Sequence, residues 1–454
     1  MKKIFIFCLS LFILLTTVFI PANAALYNPT EFDADICYMI SLDDDTIVCD
    51  INSEQKASPA SITKIVTAIL TIENCTDFDH IITVPSYCIR LLDGTNSSTA
   101  GILVGEELSV KDLLYCLLVQ SANDAANVLA DYIGGGSIEA FVGMMNDFVK
   151  SLGCQNTHFV NAHGLDDPDH YTTARDLATI YRYCLQNGMF AEITGTYSYD
   201  IPATNEYHYT RYLRNTNGLL NPGISDYYYE FARNGKTGTT DNAGRCLISS
   251  ASKDGYNYLC VILNGKFYDC DGDNVEENMA IIESKNLYKW AFENLRLREV
   301  ANPSTYVCEA EVKLSKEYDY VSLVPAESIS ALVPYGVSAT NVFIEPIKEL
   351  TKTTVEAPVK QGEILGRAVV KYADEPVAEV DLMAAFDVNR SGVKYIGDKI
   401  SKIFHSPVFI VLFIIILAVI IPACIMVFVV APQKRRAKKN TIRVVKPSDY
   451  SNKK

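Results

Sequence analysis

Apolar residues recur along this chain in different rhythms, and the places where the rhythm changes mark its organisation. Residues 35–42 and 46–52 are two β-favouring runs around Asp43, Asp44 and Asp45, which predicts a hairpin. Over 61–75 the period switches, with Ile65, Ala68, Ile69 and Ile72 at the spacing of an amphipathic helix. Further helices are predicted at 110–119, 124–133, 138–152, 173–187 and 278–294, and two apolar strands at 244–251 and 258–264. Strands first, helices in the middle and strands again near the end predict an α+β fold, an antiparallel sheet flanked by helices. The texture changes around 300–303. From 305 to 388, short alternating runs at 307–314, 320–324, 340–347, 364–371 and 377–382 predict a small all-β domain.

Both ends read as export and membrane signals. Lys2 and Lys3 precede an apolar run over 4–20, and Pro21, Ala22, Asn23 and Ala24 supply a small-x-small cleavage pattern, so a signal peptide ending at Ala24 is expected. Residues 408–431 are an uncharged run of 24, long enough for a hydrocarbon core of about 30 Å. Lys434, Arg435, Arg436, Lys438 and Lys439 follow at once, which places the tail in the cytoplasm and the body outside. The expected organisation is therefore a signal peptide at 1–24, a main domain at 25–300, the all-β domain at 301–390, a linker at 391–407, a transmembrane helix at 408–431 and a basic tail at 432–454. At 454 residues, 49% hydrophobic and 21% charged, the chain supports two packed domains and is not a low-complexity protein.

The formal net charge of -14 hides a division: the two ends are basic and residues 25–406 carry -24. A body that acidic repels polyphosphates, which excludes nucleic-acid binding as its main activity. Eleven of the 13 cysteines lie in that body, an odd number with no C-x-x-C among them. A body of this size does not need staples, so the thiols read as small buried hydrophobes, with a cross-strand bridge from Cys37 to Cys49 as the one pairing considered.

A serine nucleophile needs a base beside it, and a lysine three positions later on a helix lies one turn away on the same face. Five S-x-x-K patterns occur, starting at Ser53, Ser61, Ser250, Ser391 and Ser451. Only Ser61 and Lys64, after Pro59 and Ala60, open a strong helical pattern, where unpaired N–H groups and the helix dipole favour a developing negative charge. The bland alternative is that Ser61 caps the helix and Lys64 is a solvated charge. Ser121 and Asn123 lie between two predicted helices, where a loop can aim a hydroxyl and an amide into a cleft. Lys236, Thr237 and Gly238, followed by Thr239, stand at the head of a strand. Glycine there admits a ligand close to the backbone, and the cation and hydroxyls suit a carboxylate. His158 and His163 lie five apart and no H-E-x-x-H exists, so no metal site and no cofactor is expected.

In this order the three elements resemble the signature of penicillin-binding proteins and serine β-lactamases. The strings Pro59 to Lys64, Ser121 to Ala125, Gly235 to Gly244 and Ala162 to Asp167 are similar to low-molecular-mass penicillin-binding proteins, the serine-type D-alanyl-D-alanine carboxypeptidases of a peptidase S11-like family. The resemblance covers residues 30–295 strongly and the all-β domain in outline. It implies the transpeptidase-like fold, peptidoglycan stem peptides ending in D-Ala-D-Ala as substrate, β-lactams as inhibitors and a place at the plasma membrane. It also implies roles. Ser61 attacks, Lys64 takes its proton, Ser121 relays a proton to the leaving D-alanine, and Asn123 holds the substrate amide. Lys236, Thr237 and Thr239 bind the carboxylate, and the N–H groups of Ser61 and Thr239 form the oxyanion hole. Two departures stand out. An arginine expected after the second of these strands is replaced by the acidic stretch 269–277, leaving Arg245 and Lys266 as cationic candidates, and the chain crosses the membrane where relatives commonly end in a surface helix. A D,D-endopeptidase or β-lactamase on the same scaffold is the alternative activity. A β-lactam sensor is the alternative outside enzymes, and a cytoplasmic segment of 23 residues argues against it.

Overall fold

The computed structural model describes residues 32–335, 342–372, 375–426 and 428. The expected signal peptide and basic tail lie outside the described residues. The chain divides into two units, one of residues up to Asn302 with Ser328–Glu345 and Val369–Val380, the other of Pro303–Glu327, Pro346–Ala368 and the residues from Asp381 on.

The first unit is built on β1 (Ile36–Ser41), β2 (Ile47–Ile51), β3 (Ala232–Thr240), β4 (Gly244–Lys253) and β5 (Tyr256–Gly265), in the antiparallel order β2-β1-β5-β4-β3. Strand β5 is central, and Leu259 through Leu263 are fully buried, because both faces of the sheet are covered. One face packs on α6 (Met279–Asn294) through Leu247, Cys260, Ile262, Tyr288 and Ala291. The other carries Ile36, Ile248, Val261 and Leu263 and packs on the helical layer. That layer comprises α1 (Lys64–Asn74), α2 (Val110–Leu118), α3 (Asn123–Ile133), α4 (Ile138–Ser151) and α5 (Ala174–Leu185).

Helix α1 departs from the amphipathic expectation. Every residue from Lys64 to Ile72 is buried, since α2, α3, α4 and α5 all pack against it. Its polar positions are satisfied inside: Thr67 Oγ1 donates to the Ala162 carbonyl at 2.6 Å, and Thr71 Oγ1 to the Thr67 carbonyl at 2.8 Å. In the sheet, Cys37 stands opposite Ile51 and Cys49 opposite Met39, a diagonal rather than a facing pair. Both are free thiols, as are the other described cysteines, and nine are buried. After α6, β6 (Leu295–Ala301) pairs antiparallel with Ile329–Pro334.

In the second unit, β7 (Cys308–Lys313) pairs antiparallel with β8 (Tyr320–Pro325) and parallel with β9 (Thr354–Glu356). The stretch expected as a linker holds a helix, α7 (Gly392–Phe404), capped by the Ser391 hydroxyl. Its exposed Val393, Ile396, Ile400 and Ile403 form one stripe at helical spacing. Helix α8 (Pro407–Ile425) follows, with mean hydropathy 3.4 and no buried residue; among the described residues it alone is long and apolar enough to cross a membrane.

Candidate active site

The chain enters α1 through a tight 3-10 turn, Ala60–Thr63, which carries Ser61. Ala60 sits at φ 45°, a left-handed conformation that an L-residue holds only when its surroundings enforce it. They do. Thr63 Oγ1 donates to the Ala60 carbonyl at 2.8 Å, and the same hydroxyl lies 2.8 Å from His170 Nε2. His170 Nδ1 accepts the Val160 N–H at 3.1 Å, so Nε2 carries the proton and donates to Thr63. Burial lowers the His170 pKa to about 4, which keeps the ring neutral. Gly164, at φ 91°, packs against this turn from a separate loop; a Cβ there would stand 1.8 Å from the Ala60 carbonyl oxygen, so no other residue fits.

Lys64 begins α1 directly beneath this turn. Its Nζ donates to Ser61 Oγ at 2.7 Å and to the His163 carbonyl at 2.7 Å, and the side chain has no solvent exposure. Burial first, and then the charge of Lys236, hold its pKa well below the ordinary lysine range, with Asp124 partly opposing. The His163 ring has its pKa lowered to about 3, chiefly by burial, so at neutral pH it is uncharged and its carbonyl is the group that meets Lys64.

Between α2 and α3, Ser121 is held at φ 64°, again in the left-handed region. Lys236 Nζ donates to Ser121 Oγ at 2.8 Å and to the Thr237 carbonyl at 2.7 Å. Lys236 is fully buried, and burial lowers its pKa to about 7. Asn123 opens α3 and is 3% exposed, yet its Oδ1 has no partner among the described residues. Its own N–H donates to the Ser98 carbonyl at 2.9 Å, and the buried Asp124 carboxylate receives the N–H groups of Ala100 and Ile102. These bonds fasten the 98–102 loop to the start of α3. Gly238 brings edge strand β3 against the nucleophile turn: a Cβ there would meet the Pro59 carbonyl oxygen at 2.8 Å and the Ser61 nitrogen at 3.1 Å.

The structure thus gathers Ser61, Lys64, Ser121, Asn123, Lys236, Thr237, Gly238 and Thr239 around one cleft. The cleft has two lobes. The smaller, about 220 Å³, is lined by Ser61, Ser121, Thr216, Thr237 and Asn278 among others; the larger, about 470 Å³, by Ser61, Asn123, Asp166, Thr239 and Asp241 among others. Thr216, whose hydroxyl lies 2.5 Å from that of Thr237, comes from a bend placed by tertiary packing and carries no signal in the sequence, whereas Asn278 is the N-cap of α6 and is drawn into the cleft only by that helix's place in the fold. Asp166 lies in the Ala162 to Asp167 string that resembles the family, but the sequence assigns it no role; its Oδ1 accepts the Ser58 and Thr240 hydroxyls at 3.0 and 2.8 Å. The other S-x-x-K serines are elsewhere: Ser53 hydrogen-bonds Arg175, Ser250 lies within β4, Ser391 caps α7, and Ser451 is outside the described residues. Tyr229 is buried in parallel contact with Tyr288, Tyr227 accepts the Asn278 N–H, and Tyr228 is exposed. Of the cationic candidates, Lys266 pairs with Asp33 at 3.2 Å, while Arg245 stands opposite Thr239 across β3 and β4 and stacks 4.2 Å over the Phe267 ring.

Solved structures similar to this chain include a penicillin binding protein and a DD-transpeptidase. The crystal structure of penicillin binding protein 5 from Haemophilus influenzae matches 80% of this chain and 100% of its own at 25% identity, with a TM-score of 0.60. The Streptomyces K15 DD-transpeptidase matches 59% of this chain and all of its own at 27% identity, with a TM-score of 0.52. Among curated relatives, D-alanyl-D-alanine carboxypeptidase DacF of Bacillus subtilis (strain 168) is 28% identical over 371 residues, 79% of this chain and 87% of the relative. The family model for D-alanyl-D-alanine carboxypeptidase, peptidase S11, matches residues 23–267, and that for the penicillin-binding protein 5 C-terminal domain matches 298–390. The chain belongs to the peptidase S11 D-alanyl-D-alanine carboxypeptidase family.

Proposed function

We propose that this chain is a serine D-alanyl-D-alanine carboxypeptidase that removes the terminal D-alanine of peptidoglycan stem pentapeptides through an acyl-enzyme on Ser61 and is inhibited by β-lactams. The observation that carries the reading is the buried lysine amine 2.7 Å from a serine hydroxyl. An amine whose pKa is held down by burial and by a second lysine is available as a neutral base, which an exposed lysine is not. Lys64 takes the Ser61 proton as Oγ attacks the penultimate carbonyl. Ser121, bonded to Lys236, passes a proton to the leaving amine, and Asn123 Oδ1 accepts the substrate's amide N–H. Lys236, Thr237 and Thr239 hold the terminal carboxylate, with Thr216 beside Thr237. The N–H groups of Ser61 and Thr239 stabilise the oxyanion, each worth roughly a hundredfold in rate. Water then releases the shortened peptide.

The export and anchoring scheme supports this chemistry. Cleavage after Ala24, a single span over 408–431 and a cytoplasmic tail put residues 25–407 on the extracytoplasmic face, where the wall is. The main domain at 25–300 holds the cleft, and the all-β domain at 301–390 follows it in the sequence, before the membrane helix. The test is D-alanine release from a pentapeptide ending in D-Ala-D-Ala by the full chain, together with covalent penicillin labelling. Both activities are expected, and both are expected to vanish in Ser61→Ala. Labelling that survives in Ser61→Ala and moves to Ser250 defeats the assignment.

A further inference from the structure

A buried ion pair outside the cleft bolts two of its walls together. Glu106 is fully buried and Arg211 is 5% exposed. The arginine's Nη2 lies 3.0 Å from each Glu106 carboxylate oxygen and donates to the Gly101 carbonyl at 3.3 Å, and the guanidinium stacks 4.4 Å over the Tyr207 ring. Glu106 also accepts the Leu103 N–H at 2.9 Å and the Thr204 hydroxyl at 2.8 Å. Asn205 adds two ties, accepting the Glu107 N–H at 2.8 Å and donating to the Gly105 carbonyl at 2.9 Å. The 98–106 loop is thereby fixed to the antiparallel pair Ser198–Ile201 and Arg211–Arg214.

Both partners of the ion pair lead to the cleft, although neither lines it. Ser98, at the head of the loop, lines both lobes, and Thr216, just beyond the strand that carries Arg211, lines the smaller one. The Ser98 carbonyl accepts the Asn123 N–H, and the Asp124 carboxylate receives those of Ala100 and Ile102. Burial raises the Asp124 pKa, and these N–H groups and then the Arg211 charge oppose it, so one arginine favours the carboxylates on both sides of the loop. An ion pair this deep is a poor device for stability alone, since apolar side chains of similar volume often serve as well. Its bonds are directional, which apolar packing is not, and they fix the loop's position.

We propose that Arg211 and Glu106 are positioning residues for acyl transfer, holding Asn123 through the 98–106 loop where its side chain meets the substrate amide. The proposal rests on the carboxypeptidase reading. Arg211 Nε and Nη1 have no acceptor among the described residues, so Nη2 carries the contact and no two-pronged fork is used. An ammonium in its place therefore preserves the function.

The experiment uses the full chain in detergent and measures the second-order rate of acylation by a fluorescent penicillin, D-alanine release from a pentapeptide ending in D-Ala-D-Ala, and the melting temperature. Arg211→Met with Glu106→Gln removes both charges at similar volume, and the melting temperature is expected to stay within a few degrees. A displacement of Asn123 by a fraction of an ångström is expected to slow acylation about tenfold. In an Asn123→Ala background the same two changes should cost less than about twofold, because the side chain they displace is gone. Arg211→Lys alone should stay within about threefold of wild type. Arg214→Met, on the same strand in an exposed pair with Asp200, is the control and should change nothing. Unchanged acylation in the double variant, a loss that persists in the Asn123→Ala background, or an Arg211→Lys variant as slow as the double one overturns the inference. A collapse of the melting temperature in the double variant also overturns it, since the pair is then a support of the fold. A wild-type chain that releases no D-alanine defeats the underlying reaction instead, and that failure is seen before any variant is made.

Discussion

Replacing Gly238 by alanine tests whether strand β3 sets the position of the nucleophile. The added Cβ would lie 2.8 Å from the Pro59 carbonyl oxygen and 3.1 Å from both the Ser61 nitrogen and the Ala60 Cβ. These contacts are backbone or nearest-to-backbone, so no flexible side-chain end can give way. To reach ordinary separation the turn must retreat by about half an ångström, against an Ala60 conformation already held at positive φ. A displacement of 1 Å at a reacting group costs about a hundredfold, so a loss of about ten- to a hundredfold in acylation rate is expected. Overpacking should also lower stability by about 1–3 kcal/mol. The assay is the second-order rate of labelling by a fluorescent penicillin, with thermal melting in parallel. Gly143→Ala is the control: it lies within α4, no atom is within 4 Å of its Cβ, and the change should stabilise by up to about 1 kcal/mol with no effect on labelling. If Gly238→Ala labels at the wild-type rate, β3 does not constrain Ser61 and the reasoning fails.

Lys236→Met should lower kcat/KM by about tenfold to more than a hundredfold, and lose most of its effect on a substrate with an amidated terminus. The same change should raise stability at pH 7 by about 1–3 kcal/mol, because the folded state depresses this lysine's pKa from 10.5 to about 7. That advantage must shrink as pH rises from 7 towards 10.5, where the amine is neutral in both states; urea midpoints across that range check it. His170 has its pKa lowered from 6.5 to about 4, so its contribution is complete above 6.5 and is lost as pH falls towards 4, by up to about 3 kcal/mol. A His170→Gln variant should show a correspondingly flatter acid limb in denaturant titrations, and an unchanged limb would refute the buried neutral assignment. For topology, protease added outside intact cells should digest the body and spare an epitope after Lys454; loss of the epitope contradicts the single span.

Much of this was legible because the fold buries its strands on both faces. The unbroken run Leu259 to Leu263 reads as a central strand from sequence, and the helix boundaries near 110, 138 and 278 coincide with Ser109, Ser137 and Asn278 as caps. Ser61 was separable from four competing patterns only by what followed it. What stayed hidden depends on distant pairing. Residues 295–301 alternate Leu, Arg, Leu, Arg, yet their partner strand at 329–334 is far along the chain. The stretch of helix α7 reads as a linker in the sequence, although Val393, Ile396, Ile400 and Ile403 carry a helical period, because it is short and abuts a far stronger apolar run. The His170–Thr63–Ala60 chain and the Asp166 clamp consist of side chains whose meeting no local pattern records.

Nine buried thiols give the folded and unfolded states different relations to oxygen. In the native protein, burial pushes Cys37, Cys116 and Cys184 well above the usual thiol range and Cys154 and Cys246 up to about 12, so these five offer scarcely any thiolate. Oxidants therefore find little purchase on them while the sheet is closed, and reductant should leave the melting temperature where it was. Once the chain opens, all nine become ordinary thiols together, free to cross-link in wrong combinations. Air then converts a reversible transition into a one-way one, and recovery after heating becomes a measure of the redox medium rather than of the fold's own strength.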